Sequence, residues 1–107
     1  MSGIEDLLNS IRRLMEMDSL SIEQRALKLA EETGELCEAV VATYEAVGCT
    51  YKNKTTDDII EESQDVVICA IAAALHSRPE IKGSEYTKGL IQKLIKWENK
   101  IKEEEKK

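Results

Sequence analysis

Apolar residues recur every three or four positions along most of the chain, which is the spacing of helices that bury one face. The spacing predicts helices at about 3–17, 22–47, 56–77 and 84–105. Ser21 with Gln24 and Thr55 with Asp58 form capping-box pairs that mark two of the helix starts. Gly48 is a typical helix-ending residue. Because no strand-like alternation or repeat interrupts the pattern, we expect an all-α, antiparallel four-helix bundle.

The third predicted helix is too apolar for a thin bundle to cover. Every residue from Val66 to Leu75 is apolar, whereas an amphipathic helix needs only one apolar face. A single domain over residues 1–107 has a small core, and a second subunit can cover the remaining apolar surface. We therefore predict a homo-oligomer, either a dimer or a dimer of dimers.

The charge of the chain disfavours nucleic acid as a partner. It carries 21 acidic and 15 basic residues, a net charge of −6 at pH 7, so a phosphate backbone would be repelled. No apolar run reaches the length of a membrane span, and the first residues lack the pattern of a signal peptide. The three cysteines are an odd number without metal-ligand spacing. We expect a cytoplasmic protein with no membrane partner.

Two acidic strings lie on consecutive helices, next to apolar segments. At 100° per residue, Lys28, Glu32 and Glu35 fall on one stripe of the second helix, and Glu62 and Asp65 fall on one stripe of the third. If the stripes face each other, four carboxylates converge, and burying them unpaired is costly. Oxygen ligands of high negative charge suit a hard divalent cation. The pattern therefore predicts a site for Mg²⁺, with Mn²⁺ as an alternative.

Other interpretations of these carboxylates require different chemistry. Each acidic string alone is typical of a solvated helix face in a chain this rich in glutamate. A ferritin-like di-iron bundle would need Glu-x-x-His motifs, but the single histidine, His76, lies eleven positions after Asp65. A non-catalytic helical oligomerisation or interaction module would leave the carboxylates in water and need no metal.

The same residues resemble a known family, the MazG-like all-α nucleoside triphosphate pyrophosphohydrolases. The resemblance covers roughly residues 22–76 and lies in a Glu-Glu-x-x-Glu string followed by Glu-x-x-Asp. It implies Mg²⁺-dependent hydrolysis of a nucleoside triphosphate to monophosphate and pyrophosphate, usually by a dimer or a dimer of dimers. By this resemblance the metal ligands would be Glu32, Glu35, Glu62 and Asp65. Glu31 and Glu32 would be the catalytic carboxylates, with Glu31 an additional ligand or the group that orients water.

Four further residues are candidates for binding the substrate. Lys28 lies one turn before Glu32, where it could reach a phosphate oxygen. Tyr51 and Lys54 lie in the loop at 48–56 and could stack on a base or hold the outer phosphates. Lys93 on the last helix could contact a phosphate, from its own or a neighbouring subunit. The alternative for each of them is an ordinary solvated side chain.

Overall fold

The computed structural model describes residues 3–44 and 54–106, and they form four helices. The helices are α1 (Gly3–Asp18), α2 (Ile22–Thr43), α3 (Thr56–Ser77) and α4 (Gly83–Glu105). None of the described residues forms a strand, so the predicted all-α class is confirmed. Three helices match their predicted bounds to within a residue. Helix α2 instead ends four residues early, and the predicted stop at Gly48 lies outside the described residues.

Side chains cap the starts of α2 and α3 as the sequence predicts. The Gln24 backbone N–H donates to Ser21 Oγ at 3.1 Å, and the Ser21 N–H donates to Gln24 Oε1 at 2.8 Å. At α3 the Thr55 N–H donates to Asp58 Oδ2 at 2.8 Å, and this contact lowers the pKa of Asp58. Each cap satisfies backbone groups that have no partner within the helix, and so fixes where the helix begins.

The core lies where α3 packs against both α1 and α2. Its most buried cluster joins α1 to α3 and consists of Leu8, Ile11, Ile71, Ala72 and Leu75. Partly buried Tyr86 packs against this cluster from the first turn of α4. Helix α2 adds buried Ala39 and Ala42 on its inward face. Helix α3 is therefore the central helix, and its contact with α2 sets the spacing between the two acidic strings.

Helix α4 is attached to the other helices only near its start. Among the described helices it contacts α1 alone. There the Gly83 N–H donates to Glu5 Oε1 at 2.8 Å, and Arg12 donates to the carbonyls of Pro79 (2.9 Å) and Ile81. Every residue from 90 to 106 is exposed. The radius of gyration is 17.0 Å, against about 13 Å for a compact domain of this length. Among the described residues, α4 therefore packs against the other helices only through its first turns, and the predicted packing of a closed bundle stays a prediction.

None of the described helices is long and apolar enough to cross a bilayer.

Candidate metal centre

Helices α2 and α3 bring three of the predicted metal ligands together. Glu32 lies on the face of α2 that packs on α3 and is 8% exposed. Glu62 of α3 is half-buried opposite it, and Glu35 is exposed one turn after Glu32. One carboxylate oxygen from each of the three lies within 4.8 Å of the other two. The two acidic stripes therefore do face each other, as the helical spacing predicts.

Two of the buried oxygens lack a hydrogen-bond donor. Glu32 Oε2 and Glu62 Oε2 are both buried, and neither has a partner among the described residues. The other Glu32 oxygen is bound by Lys28 Nζ at 3.1 Å. Leaving a buried polar group unsatisfied costs roughly 1–3 kcal/mol, more when the group is charged. A cation bound between Glu32 and Glu62 would explain why these two buried oxygens have no hydrogen-bond donor.

The electrostatics of the cluster are those of carboxylates held close together. Contact with the Glu32 carboxylate raises the pKa of Glu35, and the negative charge of Glu62 adds to the effect. The pKa of Lys28 is also raised, first by its hydrogen bond to Glu32 and then by the charge of Glu31. Among the residues that the structure describes, Lys28 is the only basic one that pairs with these carboxylates. One ammonium group against three carboxylates leaves a net negative site.

The donor set fits a hard divalent cation better than a soft one. The three glutamates offer only oxygen atoms, and the exposure of Glu35 leaves one side open for water or a phosphate. Cys69 lies close enough for the charge of Glu32 to raise its pKa, although burial is the larger cause. A raised thiol pKa disfavours the thiolate, which is the form that a soft metal binds.

The other predicted site residues lie outside this group of three. Asp65 is exposed one turn further along α3, and Glu31 has a 60% exposed side chain 3.9 Å from Lys28 Nζ. Lys54 is half-buried just before α3, and Lys93 lies on the exposed part of α4. Tyr51 lies outside the described residues. The roles predicted for these residues stay predictions.

A buried arginine two turns before Glu32 on α2 was not identified from the sequence. Arg25 of α2 is 5% exposed and donates to both carboxylate oxygens of Asp18, at 2.9 and 3.2 Å. Its Nε donates to His76 Nδ1 at 3.1 Å. The hydrogen bonds from Arg25 to Asp18, with a further one from the Leu20 N–H, lower the pKa of Asp18. The available signal was spacing, because Arg25 precedes buried Glu32 by seven residues and therefore lies on the same face of α2.

An apolar cavity of about 200 Å³ lies next to the cluster, between α1, α2 and α3. Leu14, Ile68 and Ala72 provide apolar walls, and Lys28 and Cys69 line the cavity beside Glu32. The cavity could therefore receive an apolar or flat group attached to a ligand held at the carboxylates.

Comparison of the chain with models of known protein families, with curated proteins and with solved structures finds no match. The function must therefore be inferred from the carboxylate cluster and from the resemblance of the two acidic strings to the MazG-like family.

Proposed function

We propose that this protein is a Mg²⁺-dependent nucleoside triphosphate pyrophosphohydrolase, with Mn²⁺ able to replace Mg²⁺. The reaction is attack of water on the α-phosphorus, which breaks the bond to the β-phosphate and releases nucleoside monophosphate and pyrophosphate. The observation that carries the proposal is the convergence of Glu32, Glu35 and Glu62, with two buried oxygens lacking donors. The two acidic strings follow each other in the order that is typical of the MazG-like family. This resemblance is the reason for proposing pyrophosphohydrolysis as the reaction.

The proposed roles follow the position of each side chain. Glu32, Glu35 and Glu62 would hold the ion, and Asp65 would join them from the next turn of α3. When bound, the ion supplies an activated water molecule and neutralises charge on the leaving pyrophosphate. Glu31, exposed and one residue before Glu32, would orient the water or accept its proton.

Substrate contacts form the second part of the proposal. Lys28 has a 49% exposed side chain beside Glu32, so it can donate to a phosphate oxygen without leaving the site. The adjoining apolar cavity is suited to the base. Tyr51, Lys54 and Lys93 remain proposed contacts to the base or the outer phosphates. We expect the enzyme to act in the cytoplasm, as a homodimer or homotetramer.

The proposal is tested by product analysis with a panel of nucleoside triphosphates and Mg²⁺. We expect monophosphate and pyrophosphate in equal amounts, and a rate lower by orders of magnitude in Glu32→Gln. Glu61→Gln is the matched control, because it removes an exposed carboxylate beside Glu62 that is not part of the cluster. Diphosphate and orthophosphate as products would place the attack at the γ-phosphate and refute the proposed reaction.

The alternative function is a non-catalytic helical oligomerisation or interaction module. The observation that favours it is the exposed apolar surface of α4, which a catalytic role does not require. Such a module would self-associate or bind a partner equally well with and without divalent metal. Titration calorimetry with Mg²⁺ separates the two functions, since only the hydrolase needs the ion.

A further inference from the structure

Helix α4 exposes a stripe of large apolar side chains that the described residues of its own chain leave uncovered. Leu90, Leu94, Trp97 and Ile101 are 47%, 58%, 64% and 43% exposed. Their spacing of four, three and four residues places them on one side of the helix. Among the described helices α4 contacts only α1, near the start of α4. A contiguous exposed stripe of this kind marks an interaction surface.

The spacing of the stripe is that of a coiled-coil seam. With Leu94 and Ile101 at a positions, Leu90 and Trp97 occupy d positions, and Thr87 is the preceding a residue. The exposed seam from Leu90 to Ile101 spans about one and a half heptads, about 17 Å of helix. Two-stranded coiled coils form when such seams meet.

The charges beside the seam indicate which helix can pair with it. Lys93 and Lys100 occupy the two g positions, and Glu98 and Glu105 occupy the e positions five residues after each. In a parallel pair, g of one helix faces the following e of the other, so each lysine meets a glutamate of the second helix. In an antiparallel pair, g faces g and e faces e, so lysine would meet lysine.

We propose that α4 pairs in parallel with α4 of a second copy of this chain, forming a two-fold coiled coil through the seam Leu90, Leu94, Trp97 and Ile101. Lys93 then pairs with Glu98 of the second copy, and Lys100 with Glu105. All four charged residues are exposed in the single chain, so they are accessible to a second chain. Glu98 already contacts Lys102 at 2.8 Å on its own helix, an exposed pair of small energy that a second lysine can share.

This surface specifies how the proposed homo-oligomer is built and rests on the exposure of α4, not on the hydrolase reaction. Lys93 is its one residue that is also a proposed substrate contact. The contact involves none of the carboxylates of the metal centre. Association is therefore measured in EDTA without nucleotide, so a failure of the coiled coil and a failure of the enzymatic proposal give different results.

The first experiment is sedimentation equilibrium of the full chain, with Trp97 fluorescence as a second readout. Trp97 is the only tryptophan, and its emission should shift to the blue as concentration rises, because the residue becomes buried in the seam. We expect Leu94→Asp to be monomeric with unchanged helicity, since Leu94 is exposed in the single chain. Ile95→Asp is the matched control, because Ile95 is an exposed neighbour outside the seam and should leave association intact.

The second experiment tests the parallel orientation by exchanging charges. Lys93→Glu or Glu98→Lys alone should weaken association roughly tenfold, since each change makes two symmetry-related pairs repulsive. The double variant should recover most of the loss. Lys96→Glu is the control, because position 96 faces away from the seam. A monomeric native chain, equal loss in Ile95→Asp and Leu94→Asp, or no recovery in the double variant would overturn the proposal.

Discussion

Replacing Glu62 by glutamine should make the protein more stable than the native one without divalent metal and less stable than the native one with it. The substitution keeps the size of the side chain and removes one charge within 4.8 Å of Glu32. Two unit charges at that separation repel by about 3.5 kcal/mol at an effective dielectric constant of 20, and by about 0.9 kcal/mol in water. Because Lys28 offsets part of this repulsion, we expect metal-free Glu62→Gln to be more stable than the native protein by about 1 kcal/mol.

Divalent metal should stabilise the native protein more than the Glu62→Gln variant. An ion that binds only the folded state stabilises it by about 2.7 kcal/mol at one hundred times Kd. For a domain of this size, that is roughly 10–20 °C in Tm. Glu62→Gln lacks one ligand and should gain much less. The native protein should therefore melt below the variant in EDTA and above it in saturating Mg²⁺.

Thermal melts followed by circular dichroism, in EDTA and in a series of Mg²⁺ concentrations, measure this reversal. Glu61→Gln makes the same charge change at an exposed neighbouring position and should follow the native protein in both conditions. The reasoning is refuted if Glu62→Gln melts below the native protein in EDTA. An equal rise of Tm with Mg²⁺ in both proteins would likewise show that Glu62 is not a ligand.

Four further substitutions test an ion pair, a helix cap and the packing of α4. Asp18→Asn should lower the free energy of unfolding by about 1–2 kcal/mol at pH 7, since buried Arg25 loses its carboxylate partner. The pKa of Asp18 is lowered in the folded state, so the stabilisation by its carboxylate is present at neutral pH and is lost as the pH falls below about 3.8. Urea unfolding at several pH values should therefore show that the difference in stability between the native protein and Asp18→Asn vanishes in acid. Ser21→Ala should cost about 1 kcal/mol in urea unfolding by removing the α2 cap. Gly83→Ala should lower the free energy of unfolding by roughly 1–3 kcal/mol, because a Cβ there would lie 3.1–3.2 Å from α1 atoms. Gly89→Ala is the control, and it should be neutral or stabilising in the same assay because the space around Gly89 is open.

Most of the fold could be predicted because its determinants are local. Apolar spacing and the capping residues Ser21 and Thr55 depend on neighbours three or four positions away, and they fixed three helices to within a residue. The end of α2 was wrong by four residues, since the apolar pattern continues past Thr43 although the helix does not. The sequence could not show that α4 contacts the other helices only near its start. An amphipathic pattern shows which face of a helix is apolar, but it does not show which surface covers that face.

The residues of the candidate site also fall into two groups, those that local spacing predicts and those that it does not. Glu32, Glu35 and Glu62 could be grouped from helical spacing once their two helices were assumed to face each other. Arg25 was missed because its partners Asp18 and His76 lie on other helices, whereas spacing along α2 shows only that it shares a face with Glu32. The exposure of Asp65 depends on how α3 is rotated against α2, which spacing alone determines only to within part of a turn.

The arrangement of contacts also has a consequence for folding kinetics. Helices α2 and α3 are consecutive, so they pair after a short loop closes, whereas the hydrogen bond from Gly83 to Glu5 joins residues 78 positions apart. Because closing a longer loop costs more entropy, we expect α2–α3 pairing to precede docking of α1 onto the start of α4. The carboxylate repulsion then opposes the early step. Divalent cations should accordingly accelerate folding more than they slow unfolding.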